Sequence, residues 1–170
     1  MSEFKRVKPE SLSGNFIDAI GSKWALLTVT RPDGSYNTMT VSWGGVGVLW
    51  NKPVCFVFVR PQRYTHEFSE AGECFTLSFF EDKYREKLAY CGRVSGRDTD
   101  KAADCGLTPV RQHGYTFFAE AKQVLAAKKL YVDEIREGGF VDPSILDHCY
   151  PKKDYHTVYV CEIVAAAEAV

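Results

Sequence analysis

Polar and apolar side chains alternate along residues 37–43, and this alternation is typical of a β-strand. Every second residue carries a hydroxyl group, and these residues are Thr38, Thr40 and Ser42. The residues between them are large and apolar, and these are Met39, Val41 and Trp43. Because successive side chains of a strand point to opposite faces, the pattern predicts a strand with one face lined by hydroxyl groups.

A second strand-like run, residues 53–59, is almost wholly apolar and is therefore predicted to be buried on both faces. Charge follows it at once in Arg60 and Arg63. Thr65 precedes a helical segment, and we interpret it as the N-cap of that helix. Two guanidinium groups beside the free amides of a helix N-terminus are typical of an anion site, and a phosphate is the anion we expect.

The rest of the chain contains many strand-like runs and few helices. Further strands are predicted at residues 24–30, 46–50, 74–80, 115–119, 124–132 and 155–165. Helices are predicted after Thr65, over residues 82–91 with Asp82 as the cap, and from Asp98 to about residue 104. A turn at residues 32–35 joins two strands as a hairpin, which favours antiparallel pairing, and a long antiparallel sheet tends to close into a barrel. We therefore expect a mainly β chain with flanking α-helices.

Composition limits the classes of function. The 170 residues are 45% hydrophobic and carry a net charge of -1, so a single domain over residues 1–170 can bury a sizeable core. This charge and a mean hydropathy of -0.22 argue against nucleic acid and membrane as partners. The N-terminal segment lacks the apolar stretch of a signal peptide, so we expect a cytoplasmic protein. The six cysteines have no metal-ligand spacing, and we predict no metal site.

Several segments occur in an order that resembles a known family. These are N-x-M-T-x-S-W, a glycine-rich turn, K-P-V, R-P-x-R-Y-T and C-G-x-x-S-G-R-D-x-D-K. They resemble the flavin reductase-like proteins of the FMN-binding split-barrel group, in particular those similar to flavoredoxin. The resemblance runs from about Ser13 to Ile163. It implies an antiparallel split barrel that forms a homodimer, holds FMN without a covalent bond near the dimer interface, and passes hydride or electrons through it.

The requirements of FMN then suggest which residues bind it. Arg60, Arg63, Tyr64 and Thr65 would hold the phosphate. Asn37, Thr38, Met39, Thr40 and Ser42 would border the edge of the isoalloxazine ring, with Trp43 beside or over it. The resemblance places Lys101 in the same pocket, with Ser95 and Gly96 in the turn before it, and His156 is a further candidate. Trp24 and Trp50 are expected in the core. We predict no catalytic residue, because hydride transfer between stacked rings needs no protein nucleophile.

Three functions remain open from the sequence. The first is a flavin reductase that passes hydride from NAD(P)H to flavin or to a downstream acceptor. The second is a non-catalytic FMN-bound electron carrier that is served by a redox partner protein. The third, a small-barrel nucleic-acid binder, is disfavoured by the nearly neutral charge. A homodimer is expected on the resemblance and because a split barrel leaves an apolar edge.

Overall fold

The computed structural model describes residues 4–170, which form ten strands. The strands are β1 (Phe4–Val7), β2 (Ala25–Thr30), β3 (Tyr36–Val41), β4 (Gly44–Leu49), β5 (Lys52–Val59), β6 (Cys74–Phe79), β7 (Pro109–Gln112), β8 (Tyr115–Phe118), β9 (Gln123–Glu134) and β10 (Thr157–Ala169). Residues 1–3 lie outside the described residues. The predictions of a single domain over residues 1–170 and of an N-terminal segment without a signal peptide include these three residues.

Five α-helices connect or cover the strands. They are α1 (Phe16–Gly21), α2 (Tyr64–Ala71), α3 (Arg85–Arg93), α4 (Lys101–Asp104) and α5 (Ser144–Cys149), and 3₁₀ turns occur at Pro9–Ser11, Asp82–Tyr84 and Glu137–Gly139. In residues 4–170, none of these helices is long and apolar enough to cross a membrane.

The predicted helix caps were wrong at three positions. Arg63 is the N-cap of α2, and Thr65 lies inside the first turn, so its side chain caps nothing. Asp82 begins a 3₁₀ turn, and α3 starts three residues later. Asp100, not Asp98, caps α4, because its carboxylate accepts hydrogen bonds from the backbone N–H groups of Ala102 and Ala103.

The large sheet is antiparallel throughout, as predicted, and its strand order is β3-β2-β6-β9-β10-β5-β4, with β1 paired to β10. If this sheet were flat, its outer strands β3 and β4 would be separated by about 29 Å, at about 4.8 Å per strand. The link between them is only Ser42 and Trp43, which spans at most about 11 Å. The sheet must therefore curl until β3 and β4 lie close together. The result is a barrel that is not closed by hydrogen bonds between these two strands, and we call this position the seam.

The interior of the barrel holds one large hydrophobic cluster. Six of the eight strands of the large sheet contribute buried side chains to it, such as Leu27, Met39, Val57, Phe75 and Tyr159. A second cluster lies outside the barrel wall, where α3, α4 and β8 cover the other face of β2. Strand β2 is therefore buried on both faces along its whole length.

Two predictions about burial were wrong. On β5, Cys55, Val57 and Val59 lie in the barrel, but Phe56 and Phe58 face outward and are only partly buried. Trp50 is 53% exposed at the turn between β4 and β5, so it is not a core residue. Both departures expose apolar surface on the β4–β5 side of the barrel.

Candidate functional site

Three neighbouring cavities follow β3 at the seam of the barrel. The strand cavity, of about 170 Å³, is lined by Met39, Thr40, Val41, Ser42, Trp43, Phe58, Arg60, Arg63 and His156. The arginine cavity, of about 230 Å³, is lined by Asn37, Met39, Gln62, Arg63, Tyr64, Thr65, Arg93, Val94, Ser95, Gly96, Arg97 and Lys101. The loop cavity, of about 400 Å³, is lined by Tyr36, Asn37, Thr38, Gly96, Arg97, Asp98, Thr99, Asp100, Lys101 and Ala102.

These cavities share walls, so they form one continuous depression. Met39 and Arg63 line both the strand cavity and the arginine cavity, and Asn37 and Lys101 line both the arginine cavity and the loop cavity. Every residue that the sequence analysis assigned to FMN lines at least one of the three. The structure thus brings together segments that lie more than a hundred positions apart in the chain.

The hydroxyl groups of β3 have partners inside the protein. Thr38 Oγ1 lies 3.1 Å from the carbonyl oxygen of Leu27, and Thr40 Oγ1 lies 2.5 Å from that of Leu88 in α3. Each hydroxyl hydrogen is therefore used within the fold. Thr38 is bonded to the neighbouring strand β2 and Thr40 to α3, which packs on this face of β3, so the contact of both side chains with a ring edge stays a prediction.

Asn37 ties β3 to the start of α2. Its Nδ2 donates to Thr65 Oγ1 over 2.8 Å, and both side chains are buried. Gly96 lies directly against this amide: a Cβ added there would stand 2.0 Å from Asn37 Oδ1 and 3.3 Å from the ring of Tyr64. Only a glycine lets the loop before α4 approach β3 this closely.

The arginine cavity is strongly cationic. Arg63, Arg93, Arg97 and Lys101 line it, and the N-terminus of α2 opens into it without a side-chain cap. The first backbone N–H groups of an α-helix have no partner within the helix. Arg97 is held by Glu67 and stacks over Tyr64, and Arg63 donates to the carbonyl oxygen of Gly92 over 2.8 Å. The cavity therefore offers fixed positive charge together with free backbone donors.

Lys101 is the buried member of this group, at 6% exposure. Its Nζ donates to the carbonyl oxygens of Thr38 over 2.7 Å and Cys91 over 3.0 Å. Burial lowers the pKa of Lys101 to about 8, and Arg63 adds to the lowering. Its charge is therefore sensitive to pH just above neutrality and depends on what else lies in the cavity.

The structure places Arg60 away from the predicted phosphate cluster. Its Nη1 is 2.5 Å from Asp154 Oδ2, and its Nη2 donates to the carbonyl oxygen of Cys149 over 2.9 Å. The bond to Arg60 also lowers the pKa of Asp154, which therefore stays ionised. Arg60 lines the strand cavity as half of an ion pair, whereas Arg63 lines the arginine cavity as well.

His156 and Trp43 line the strand cavity side by side. Their ring centroids are 5.1 Å apart, and Trp43 is 46% exposed whereas His156 is buried. Tyr150 OH lies 2.8 Å from His156 Nδ1. Burial and then the Arg60 guanidinium lower the pKa of His156 to about 4, so the imidazole is neutral at physiological pH.

Several residues of the site were not selected from the sequence. Arg93, Arg97, Phe58 and Tyr150 line a cavity or contact a lining residue. Arg93 lies two residues before the predicted Ser95–Gly96 turn, and this position could have suggested it. Tyr150 had no signal, because only the fold brings it to His156.

Comparison with known proteins adds a family match. A family model described as a flavin reductase like domain matches residues 17–169. No curated protein matches the chain in a sequence search.

Solved structures give the same fold. An FMN-binding domain of a flavin reductases-like enzyme from Shewanella baltica OS155 superposes with a TM-score of 0.69 at 17% identity, covering 99% of this chain and 78% of that one. Flavoredoxin of Desulfovibrio vulgaris (Miyazaki F) gives 0.67 at 22% identity, with 94% and 75% covered. An NADH:FAD oxidoreductase from Streptomyces globisporus C-1027 gives 0.64 at 18% identity, with 86% and 74% covered.

Proposed function

Because the chain belongs to the flavin reductase like domain family, we propose that it binds FMN without a covalent bond and passes hydride from NAD(P)H to that flavin or onward to an acceptor. The observation that carries the proposal is the continuous depression along β3, which is cationic at one end and bordered by aromatic rings at the other. FMN has the same division, with a dianionic phosphate at one end and a flat ring system at the other.

The donor set of the arginine cavity fits a phosphate. Arg63 and Arg93 present guanidinium groups, Lys101 presents an ammonium group, and the uncapped start of α2 presents backbone N–H groups. A phosphate at a helix N-terminus is stabilised both by these donors and by the helix dipole. Arg97, the fourth cation that lines the cavity, is paired with Glu67 and so adds no net charge.

The strand cavity fits the ring end. Met39 and Phe58 supply apolar surface, and Trp43 and His156 supply flat rings at its mouth. The ion pair of Arg60 with Asp154 neutralises one of the two arginines that line it, and the other, Arg63, lies at the border with the arginine cavity. At about 170 Å³ the cavity encloses only part of a ring system, so one face of the ring stays accessible to a second ring or to another chain.

In the proposed reaction, bound FMN supplies a ring that accepts hydride from a reduced nicotinamide. The residues of this chain bind, orient and shield that ring, and none of them has to form a covalent bond. Asn37 and Gly96 fix the loop that closes the phosphate end, and Trp43 limits the access of water at the ring end. This positioning is the protein's share of the rate enhancement.

A homodimer is the proposed working unit. Five large apolar side chains are exposed on the β4–β5 turn and the end of β9, which are Val48, Trp50, Leu130, Tyr131 and Val132. Trp50 packs edge-on against Tyr131 at 6.0 Å, so exposed apolar side chains of the β4–β5 turn and of β9 are in contact. Exposed apolar surface of this kind is typical of an interface. A Val48→Ser, Trp50→Ser double variant should sediment as a monomer, whereas a wild-type chain that is monomeric at micromolar concentration contradicts the proposal.

The test of the function combines a spectrum with a rate. Purified protein should show the visible absorbance of oxidised FMN, and it should oxidise NADH or NADPH in the steady state with free FMN as the acceptor. FMN that stays bound without any turnover would favour the electron carrier served by a partner protein. A protein that neither retains FMN nor binds it at micromolar concentration would contradict both.

A further inference from the structure

His156 has one ring nitrogen that the fold satisfies and one that it does not. Nδ1 lies 2.8 Å from Tyr150 OH, while Nε2 makes no hydrogen bond with any residue in the part of the chain that the structure describes. The imidazole lines the strand cavity, beside Trp43. Nε2 is therefore the ring nitrogen of a cavity-lining residue that is left available to a bound molecule.

The hydrogen of the Tyr150 phenol decides which nitrogen of His156 carries the proton. Tyr150 is 5% exposed. Within residues 4–170, its hydroxyl group forms a hydrogen bond with His156 Nδ1 and with no other atom. If Nδ1 carried the proton, two hydrogens would face one another or the phenol hydrogen would be buried without an acceptor, which is costly. The phenol must donate to Nδ1, and a neutral imidazole must then carry its proton on Nε2.

The charges around the ring keep it neutral. Arg60 and Arg63 approach it from the segment after β5, and Asp154 approaches from its own segment. Asp154 is already paired with Arg60 over 2.5 Å and accepts from Gln62 over 2.6 Å, so it is a weak partner for an imidazolium. The hydrogen bond from Tyr150 opposes protonation of Nδ1 as well, because that lone pair is in use.

We propose that Tyr150 is a positioning residue that fixes His156 as the Nε2–H tautomer, so that the imidazole donates one hydrogen bond to a carbonyl oxygen or an unprotonated ring nitrogen of the molecule in the strand cavity. The identity of that molecule as a flavin or a nicotinamide rests on the proposed function. The tautomer itself does not, since it follows from contacts within the chain.

The first test needs no ligand. Nitrogen-15 NMR of the imidazole should show a protonated Nε2 and an unprotonated Nδ1 in the wild-type protein across pH 5.5–8. In Tyr150→Phe the phenol hydrogen that occupies the Nδ1 lone pair is gone, so the spectrum should show a mixture of the Nδ1–H and Nε2–H tautomers. Tyr155→Phe is the matched control, since Tyr155 stacks on Tyr150 at 5.1 Å but does not contact His156 Nδ1.

The second test is functional. Tyr150→Phe should lower turnover or flavin affinity by about two- to tenfold at pH 7, the effect of one lost neutral hydrogen bond. A protonated Nδ1 in the wild type, or equal behaviour of the two variants by NMR, would overturn the proposal. If the protein bound no flavin at all, the proposed function would fail while the NMR result still decided the tautomer.

Discussion

The arginine cavity and the strand cavity lie side by side on β3 but treat charge in opposite ways. At the arginine cavity, Arg63, Arg93 and Lys101 have no carboxylate partner among the hydrogen bonds and ion pairs of the described residues. At the strand cavity, Arg60 is neutralised by Asp154 and His156 is uncharged. The arginine cavity therefore suits an anion, and the part of the strand cavity away from Arg63 suits a neutral, flat group.

This difference determines how a ligand is oriented along β3. A molecule with one anionic end and one aromatic end can lie along β3 in only one orientation, because a charged end in the strand cavity would gain little from an arginine that is already paired. Changes at the two ends should therefore have different effects on ligands with and without a phosphate. Riboflavin, which has the ring of FMN but lacks its phosphate, makes this comparison possible.

The largest expected effect is that of Arg63→Ala. It removes a guanidinium group from the arginine cavity, so FMN affinity should fall by about ten- to a hundredfold, the effect of a lost charge-assisted hydrogen bond. Riboflavin affinity should change much less. Thr65→Ala should act in the same direction, because Thr65 holds Asn37 in the cavity wall. Fluorescence titration of both ligands measures the difference.

Arg60→Ala is the contrasting variant. Arg60 lines the strand cavity and is paired with Asp154, so its loss should weaken FMN and riboflavin to a similar extent. Arg6→Ala, on β1 and outside the lining of all three cavities, controls for the loss of net charge. If Arg63→Ala weakened both ligands equally, or neither, Arg63 would be structural and the phosphate site would lie elsewhere.

Gly96→Ala should have the next largest effect. The added Cβ would stand 2.0 Å from Asn37 Oδ1, so the loop or the buried amide must move. Overpacking of this kind costs about 1–3 kcal/mol, which appears as a lower melting temperature and as weaker FMN binding. Gly139→Ala is the control, because nothing lies within 4 Å of its added Cβ. Unchanged melting and binding in Gly96→Ala would mean that the close approach of this loop to β3 is not required.

A smaller effect is expected for Trp43→Ala. Loss of an aromatic wall should weaken FMN and riboflavin alike by about two- to tenfold and alter the flavin spectrum. Trp24→Ala removes a tryptophan that lines none of the three cavities and packs on the second hydrophobic cluster, so it should leave the spectrum unchanged. A Trp43→Ala protein that binds flavin normally but melts earlier would show that Trp43 has only a packing role.

The smallest effect is a pH dependence that arises from Lys101. Its pKa of about 8 means that the ammonium form, which attracts phosphate, is lost as the pH rises from 7 to 9. FMN affinity should therefore fall over this range by a few-fold, while riboflavin affinity stays level. Lys101→Met should abolish the pH dependence of FMN binding. Parallel pH profiles for the two ligands in the wild type would place the phosphate away from Lys101.

Much of the fold could be predicted from local patterns. The alternation in residues 37–43 and the apolar run at 53–59 located β3 and β5 to within two residues. The missed elements include β1, β7, α1 and α5, which are four to six residues long and too short to show a clear period. Thr65 was predicted as a cap from residue type alone, whereas the chain enters α2 two residues earlier.

The site was predictable where its residues are close in sequence and unpredictable where they are distant. Asn37–Trp43, Arg63–Thr65 and Ser95–Lys101 are local motifs, and the fold brings all three to the same depression. The pairing of Arg60 with Asp154 joins residues 94 positions apart, and no local pattern signals it. For the same reason, the sequence did not show that Tyr150 contacts His156.

The ratio of two dissociation constants tests the central claim most directly. If the arginine cavity is a phosphate site and the strand cavity is a ring site of the same ligand, the wild-type protein should bind FMN at least about a hundredfold more tightly than riboflavin, since several charge-assisted hydrogen bonds depend on the phosphate. Fluorescence titration at pH 7 and moderate ionic strength gives both values. Equal affinities would contradict the account, because the cationic end of the depression would then contribute nothing to flavin binding.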